Sequence, residues 1–351
     1  MLLPEGGLAR EPAAGPAVVY AVGFSRWKRA TVCAALGDIR VVFVEHVSEV
    51  PPNGTCLAWG RTDIAGRAAS KVLRIEDGFL RSIGLGADLI RPVSLVIDRR
   101  GIYYDASTPS DLEKLLSSAQ FTPALLQRAR ALRERLVATG LTKYNVGTST
   151  FARPGSAGRV LLVPGQVESD ASLEFGAPGV RTNLALLQAV RTANPDAFLI
   201  YKPHPDVQAG LRAAGAAEHR AREWCDLQLA DVPMGDLLAQ VDEVHVMTSL
   251  AGFEALLRGR LVRCYGQPFY AGWGLTSDMH SIARRTRRLT LDELVAGSLI
   301  LYPTYVSRAS GRIISVEEAL DELLDWRERG DIPPVWRSLI RSIVRCVVGV
   351  R

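Results

Sequence analysis

The sequence lacks the marks of a disulfide scaffold, a metal module or a membrane span. Its five cysteines (Cys33, Cys56, Cys225, Cys264 and Cys346) are odd in number, scattered and without a CxxC pair. That spacing argues against a disulfide framework or a thiolate zinc site and favours a reducing cytosol. His46, His204, His219, His245 and His280 show no ligand spacing, so no metal site is expected. No uncharged apolar run reaches the roughly eighteen residues that a spanning helix needs. The N-terminal stretch MLLPEGGLAREPAAGP has no basic segment followed by an apolar one, so a signal peptide is not expected. GxGxxG and GxxxxGK[ST] are both missing, which disfavours NAD and P-loop sites. Short-period repeats and low-complexity blocks are absent too. The charge excess is small, +5 with a pI near 9.0, and suits anionic ligands or an anionic membrane surface. No recognition motif supports nucleic acid.

What remains is a chain long and apolar enough to bury two cores: 351 residues, 48% hydrophobic. Strand-like apolar runs alternate with glycine- or proline-containing loops and helix-period segments. In the first half Val18–Val22, Val41–Val44, Leu57–Trp59, Val72–Ile75 and Val93–Ile97 read as strands. Gly101–Tyr104 reads as one more, joined to the last by a hairpin at Asp98-Arg-Arg-Gly101. Thr122-Pro123 opens a helix that Gly140 ends. The run from Arg153 to Gly158 reads as an interdomain linker. Beyond it Val160–Val163, Phe198–Tyr201, Val244–Met247 and Leu261–Tyr265 read as strands, mostly without alternation, as in a parallel sheet covered on both faces. Capping boxes at Thr290–Glu293 and Ser315–Glu318 start two later helices. The expected organisation is α/β: an N-terminal domain over 1–150, a second over 151–310, and C-terminal helices with a basic amphipathic tail over 311–351.

Ligands of open α/β sheets bind outside the carboxyl ends of the strands, so the four loops after the second-half strands should share one rim. Pro164–Ser172 holds Gln166, Glu168, Asp170 and Ser172; a carboxylate there fits a nucleophile towards an anomeric carbon, or a solvated acidic loop. In Lys202-Pro-His-Pro a stiff backbone presents His204 beside a cation, for a phosphate or sugar carboxylate, or simply forms a turn. Thr248–Glu254 passes from strand to helix. Thr248 and Ser249 would hold a phosphate, Gly252 would admit a ligand to the backbone, and Glu254 would accept ribose hydroxyls. Equally, Ser249 is a plain N-cap and Glu254 a dipole partner. In the first half Glu76, Asp77 and Arg81 fit acid–base or hydroxyl-binding work, or an internal Asp–Arg pair. In the tail, Arg337, Arg341 and Arg345 form one basic stripe, suited to an anionic membrane or to docking as a helix.

Read together, Arg74-Ile-Glu-Asp-Gly-Phe-Leu-Arg-Ser, Lys143-Tyr-Asn, Val163-Pro-Gly-Gln-Val-Glu-Ser-Asp-Ala-Ser, Tyr201-Lys-Pro-His-Pro-Asp-Val, Met247-Thr-Ser-Leu-Ala-Gly-Phe-Glu and Tyr265-Gly-Gln-Pro-Phe-Tyr-Ala-Gly-Trp-Gly resemble the bacterial capsule-polysaccharide β-Kdo transferases of KpsC type. The match runs in order from the first strand to Tyr305. It covers one of the two modules usual in that family and is nearer its C-terminal one. The resemblance implies a GT-B-like fold of two Rossmann-like domains with parallel sheets facing a cleft. It implies CMP-β-Kdo as donor, a β-Kdo-terminated glycolipid acceptor at the cytoplasmic face of the inner membrane, and retention of configuration. Asp170 falls on the family's nucleophile. Gln166, Lys202, His204, Thr248, Ser249, Gly252, Phe253 and Glu254 would bind the donor; Arg81, Tyr104, Lys143 and Ser172 the sugar or acceptor; Glu76 or Asp77 would serve as base. No cofactor and no metal are expected, and other capsule synthesis or export proteins are possible partners. Two rivals are a transferase for another CMP-linked acidic sugar and a non-catalytic glycolipid-binding module.

Overall fold

The computed structural model describes residues 18–64, 71–84 and 90–330. The expected basic tail at 333–351 lies outside the described residues. Among those described, no helix is long and apolar enough to cross a membrane. The chain forms two compact units: unit 1 holds the residues up to Ile102 and those from Ser298 on, unit 2 holds Tyr103–Gly297.

The first pass through unit 1 gives β1 (Val18–Val22), α1 (Arg26–Leu36), β2 (Arg40–Val44), β3 (Thr55–Trp59), β4 (Val72–Asp77) and β5 (Ser94–Asp98). Unit 2 opens with helices α2 (Asp111–Ser118) and α3 (Pro123–Ala138). It continues with β6 (Val160–Pro164), α4 (Ala171–Gly176), α5 (Asn183–Ala193), β7 (Phe198–Lys202) and α6 (Pro205–Gln208). Then come β8 (Leu227–Gln228), α7 (Met234–Gln240), β9 (Glu243–Val246), α8 (Leu250–Leu257), β10 (Leu261–Cys264), β11 (Ser277–Asp278) and α9 (Leu291–Val295). The chain re-enters unit 1 as β12 (Pro303–Val306), β13 (Ile313–Ile314) and α10 (Val316–Arg329).

In unit 2 six strands, ordered β11-β10-β9-β6-β7-β8, are all parallel. β6 is buried along its whole length, as a strand covered on both faces must be. Leu161, Val163, Leu187, Val190, Leu199 and Tyr201 fill one side of this sheet. Fully burying an aliphatic side chain contributes about 1.5–3 kcal/mol. Caps fix where the helices begin: Thr122 accepts from the N–H of Leu125 ahead of α3, and Thr182 from that of Ala185 ahead of α5. Both expected capping boxes form, opening α9 and α10.

Unit 1 departs from the expected parallel sheet. Its seven strands run β13-β12-β5-β4-β3-β1-β2, and only β2, β1, β3 and β4 are mutually parallel. β5 is antiparallel to β4 and to β12, and β12 is antiparallel to β13. The hairpin expected after β5 does not form either. Asp98 Oδ1 accepts the N–H groups of Arg100 and Gly101 in a side-chain-closed turn, but residues 101–104 are not a strand. The free edge of β5 is taken by β12 instead, Pro303 opposite Val96.

The division of the chain also differs from the expected split at 150. Thr148 and Ser149 are fastened within unit 2, both hydroxyls donating to Asp231 Oδ2 at 2.7 and 2.8 Å. Arg153 donates to both oxygens of Asp242 at 2.8 Å. The presumed linker is therefore bolted down along the segment that leads into β6. Further upstream, buried Glu113 accepts from Arg285 Nε at 2.9 Å and from Arg284, and Arg133 Nε donates to Asp292 at 3.1 Å. These bonds hold α2 and α3 to the end of unit 2; removing one partner of a buried pair costs about 3–5 kcal/mol.

Candidate active site

The carboxyl ends of β6, β7 and β9 bring three loops of unit 2 together. Gly165 opens the first, where a Cβ would lie 2.6 Å from Tyr201 Oη. Close approach to β7 is thus reserved for glycine. Gln166 follows, buried. Its backbone N–H donates to Asn183 Oδ1 at 2.9 Å, and Asn183 Nδ2 returns a bond to its carbonyl at 2.9 Å. Its side chain crosses to the β9 loop: Nε2 donates to Thr248 Oγ1 at 3.0 Å, and Oε1 accepts the Thr248 N–H at 2.9 Å. Thr248 Oγ1 continues to Ser172 Oγ at 3.3 Å. Ser172 N–H donates to Asp170 Oδ1 at 2.9 Å, making Asp170 the N-cap of α4. One hydrogen-bonded chain thus joins Gln166, Thr248, Ser172 and Asp170. Asp170 is half-buried, and its Oδ2 accepts no hydrogen bond from any described residue. Glu168 points elsewhere: it accepts the Asn183 N–H at 2.8 Å, and burial raises its pKa.

His204 caps α6 by accepting the Asp206 N–H at Nδ1, 3.2 Å. Burial, helped by the charge of Lys143, pulls its pKa down to about 4, against an opposing pull from Asp170. The imidazole is therefore neutral near pH 7. Because Nδ1 accepts, the proton sits on Nε2, which becomes a donor. The Tyr144 ring meets it edge-on at 6.2 Å. The loop carrying Lys143 and Tyr144 is closed by Asn145, at φ 54°, whose amide bonds both the N–H and the carbonyl of Thr142 at 2.7 Å. Lys202 serves differently from the expected phosphate contact. Its buried Nζ donates to the carbonyls of Ala230 and Val232 at 2.9 and 2.7 Å, and burial lowers its pKa to about 8.

At α8 the residues expected to contact the donor also have partners within the protein. Ser249 Oγ accepts the Ala251 N–H at 3.2 Å as an N-cap. Gly252 does not open the backbone to a ligand: a Cβ there would lie 2.3 Å from Tyr270 Oη, so the space belongs to a core tyrosine. Phe253 is 2% exposed and packs on Phe269 at 5.2 Å, within the core. Glu254 is buried and accepts the Lys143 N–H at 2.7 Å; burial raises its pKa to about 6. Through this bond it ties the Lys143 loop to α8. Tyr104 sits beside the rim through its carbonyl, 3.0 Å from where a Cβ on Gly176 would be, and its ring meets Tyr103 edge-on.

In unit 1, Arg81 is an internal partner rather than an open clamp. It is 2% exposed, donates through Nε to Asp77 Oδ2 at 2.6 Å, and through Nη1 to Ser82 Oγ at 3.0 Å. Glu76 Oε1 accepts the Asp77 N–H at 2.9 Å. Two residues of unit 2, Asn183 and Tyr144, join the site without having been expected from the sequence. The first is visible only as a polar residue at a helix start; the second lies inside the quoted Lys-Tyr-Asn motif.

A family model described as capsule polysaccharide biosynthesis protein matches residues 56–152 and 129–308. The chain belongs to the capsule polysaccharide biosynthesis protein family. Within it, the capsule polysaccharide modification protein LipA of Neisseria meningitidis serogroup A is 43% identical over 318 residues, covering 87% of this chain and 45% of that protein. The lipopolysaccharide-processing protein LpsZ of Rhizobium meliloti is 39% identical over 325 residues, 87% of this chain and 74% of that one. The chain thus spans less than half the length of LipA. Two solved structures of Thermosulfurimonas dismutans KpsC match over nearly their whole length. The β-Kdo 2,7 transferase is 40% identical with a TM-score of 0.74, covering 88% of this chain and 99% of that one. The β-Kdo 2,4 transferase is 32% identical with a TM-score of 0.77, covering 89% and 98%. This family member is therefore closely related to KpsC-type β-Kdo transferases and shares their two-sheet α/β fold.

Proposed function

We propose that the chain is a CMP-Kdo-dependent glycosyltransferase that adds β-Kdo to a Kdo-bearing glycolipid acceptor in capsule polysaccharide biosynthesis. The observation that carries this is Asp170: one carboxylate oxygen fastened by its own helix, the other without a hydrogen bond from any described residue, at the carboxyl rim of a parallel sheet. In this reading Asp170 Oδ2 attacks C2 of the donor sugar. The C2–O bond to phosphate breaks, CMP leaves with the electron pair, and a Kdo–Asp170 ester-type adduct remains. The acceptor hydroxyl then attacks C2, gives up its proton to a base, and the Asp170 carboxylate departs. Two inversions leave the β configuration unchanged. His204 supports the first step as a neutral Nε2–H donor to the leaving phosphate, a role that adds no charge to the resting site. The hydroxyls of Thr248 and Ser172 line the same loops. The higher identity to the 2,7 transferase, 40% against 32%, supports a β2,7 product in this reading.

The test is Asp170→Asn. Asparagine caps helices as well as aspartate does, so the fold should be kept. Transfer from CMP-Kdo to a synthetic β-Kdo acceptor should drop by about 10³-fold or more, with CMP binding unchanged. Intact-mass measurement of wild-type enzyme given CMP-Kdo and no acceptor should show one added Kdo. Near-normal turnover of the variant would overturn the nucleophile. Wild-type enzyme that transfers no Kdo to any acceptor overturns the activity itself.

A further inference from the structure

Unit 1 carries a second constellation, built around Trp27, Lys28 and Trp59, three residues that none of the roles above uses. The parallel strands β1, β3 and β4 end side by side, with Ala21 opposite Leu57 and Trp59 opposite Ile75. The first turn of α1 supplies Trp27 and Lys28, β3 ends on Trp59, and β4 ends on Glu76 and Asp77. Lys28 Nζ stands 3.3 Å from the centroid of the Trp59 ring and 5.4 Å from that of Trp27. The platform is braced: Trp59 meets Phe24 edge-on at 6.0 Å, and Phe24 meets Phe43 at 6.2 Å. Both indoles are half-buried rather than enclosed. Glu76 and Asp77 act on the Lys28 charge, and Arg81 opposes them from its bond to Asp77. Burial is the largest influence on the ammonium and lowers its pKa.

An ammonium stripped of much of its water and flanked by indole faces attracts a carboxylate more strongly than a solvated lysine does. The Lys28 ammonium covers a face of Trp59, which leaves the half-buried Trp27 indole to take the C–H side of a pyranose ring, while neighbouring carboxylates accept its hydroxyls. Those three chemistries belong together in one ligand class, a sugar acid. We infer that Lys28, framed by Trp27 and Trp59, is the subsite in unit 1 for the carboxylate of an acidic-sugar acceptor. The inference rests on the transferase reading above and adds to it a residue that selects the acceptor rather than the donor.

The experiment is calorimetric titration of a synthetic β-Kdo disaccharide, and of the same disaccharide with its carboxyl groups reduced to alcohols, into the full chain. The wild type should bind the acid form about tenfold tighter than the reduced form, a difference of about 1.4 kcal/mol. Lys28→Met should erase most of that preference by weakening only the acid form, while Lys28→Arg should keep part of it. Trp27→Ala should weaken both forms alike, several-fold, because stacking is blind to charge. CMP binding should not change in any variant. A Lys28→Met protein that still prefers the acid form, or that loses both forms equally, overturns the subsite and makes Lys28 a clasp between α1 and β3. Active transfer by the wild type alongside either result leaves the transferase reading standing. Wild type that neither binds the disaccharides nor transfers Kdo overturns both.

Discussion

Gln166 and Thr248 are paired in both directions: the Gln166 amide donates to the threonine hydroxyl, and its carbonyl oxygen accepts the threonine backbone N–H. One side chain thereby fixes the distance between the loop that carries Asp170 and the loop that starts α8. Replacing it with Gln166→Leu keeps the bulk and strands the Thr248 N–H in a half-buried place. Leaving such a donor unsatisfied costs about 1–3 kcal/mol, which urea unfolding would register. Gln166→Glu still accepts that N–H, and Thr248 can turn its hydroxyl to donate. Its stability should fall less, while the added negative charge near Asp170 should raise KM for an anionic donor. Equal destabilisation by both variants would show that the pairing does not hold the loops.

Acid stability should reveal two opposed groups. His204 is depressed from 6.5 to about 4, so between those values the unfolded chain binds more protons, and stability falls as pH drops through the window. Glu254 is raised from 4.5 to about 6, so the folded chain binds the extra proton. Its contribution is full below 4.5 and lost as pH rises through about 6. The two should largely offset each other between about pH 4.5 and 6. Thermal melts over that range should separate them: His204→Gln should lose less stability on acidification than the wild type, and Glu254→Gln should lose more. The reverse order would contradict the buried, neutral state assigned to His204.

Gly252 should tolerate no side chain while Tyr270 keeps its hydroxyl. A Cβ would overlap the Tyr270 Oη that donates to the Ser249 carbonyl. Overpacking of this kind costs about 1–3 kcal/mol. The double variant Gly252→Ala/Tyr270→Phe should recover part of the loss suffered by Gly252→Ala, since the clashing oxygen is gone. If Gly252→Ala instead leaves the melting temperature unchanged but abolishes CMP binding, the glycine is there for a ligand after all.

Much of unit 2 was legible because its information is local. The mostly apolar runs of β6, β7, β9 and β10, and the cap residues Thr122, Thr182, Thr290 and Ser315, each announce themselves within a few residues. The antiparallel half of unit 1 was not, because β5 pairs with a strand far along the chain and its following turn looks like a hairpin. Gln166, Asp170, Ser172 and Thr248, singled out by their motif positions, do converge in one hydrogen-bonded chain. Gly252, Phe253, Glu254 and Arg81 have neighbours inside the protein that the motifs do not reveal, because glycine, aromatic and charged residues look alike in sequence whether they face a substrate or a neighbour. Only burial and the partner atom separate those cases, and neither is written in spacing.

The pairing of β5 with β12 has a consequence for how the polypeptide is made. Roughly two hundred residues separate Leu95 from its partner Thr304, and all of unit 2 lies between them. During translation the inserted unit emerges whole and can fold while one edge of β5 still waits for its mate. An open strand edge invites foreign β-pairing until it is covered. A ribosome stalled near residue 297 would therefore release a product with one finished unit and one exposed, sticky sheet, and growth temperature or chaperone supply should govern yield through that half of the molecule.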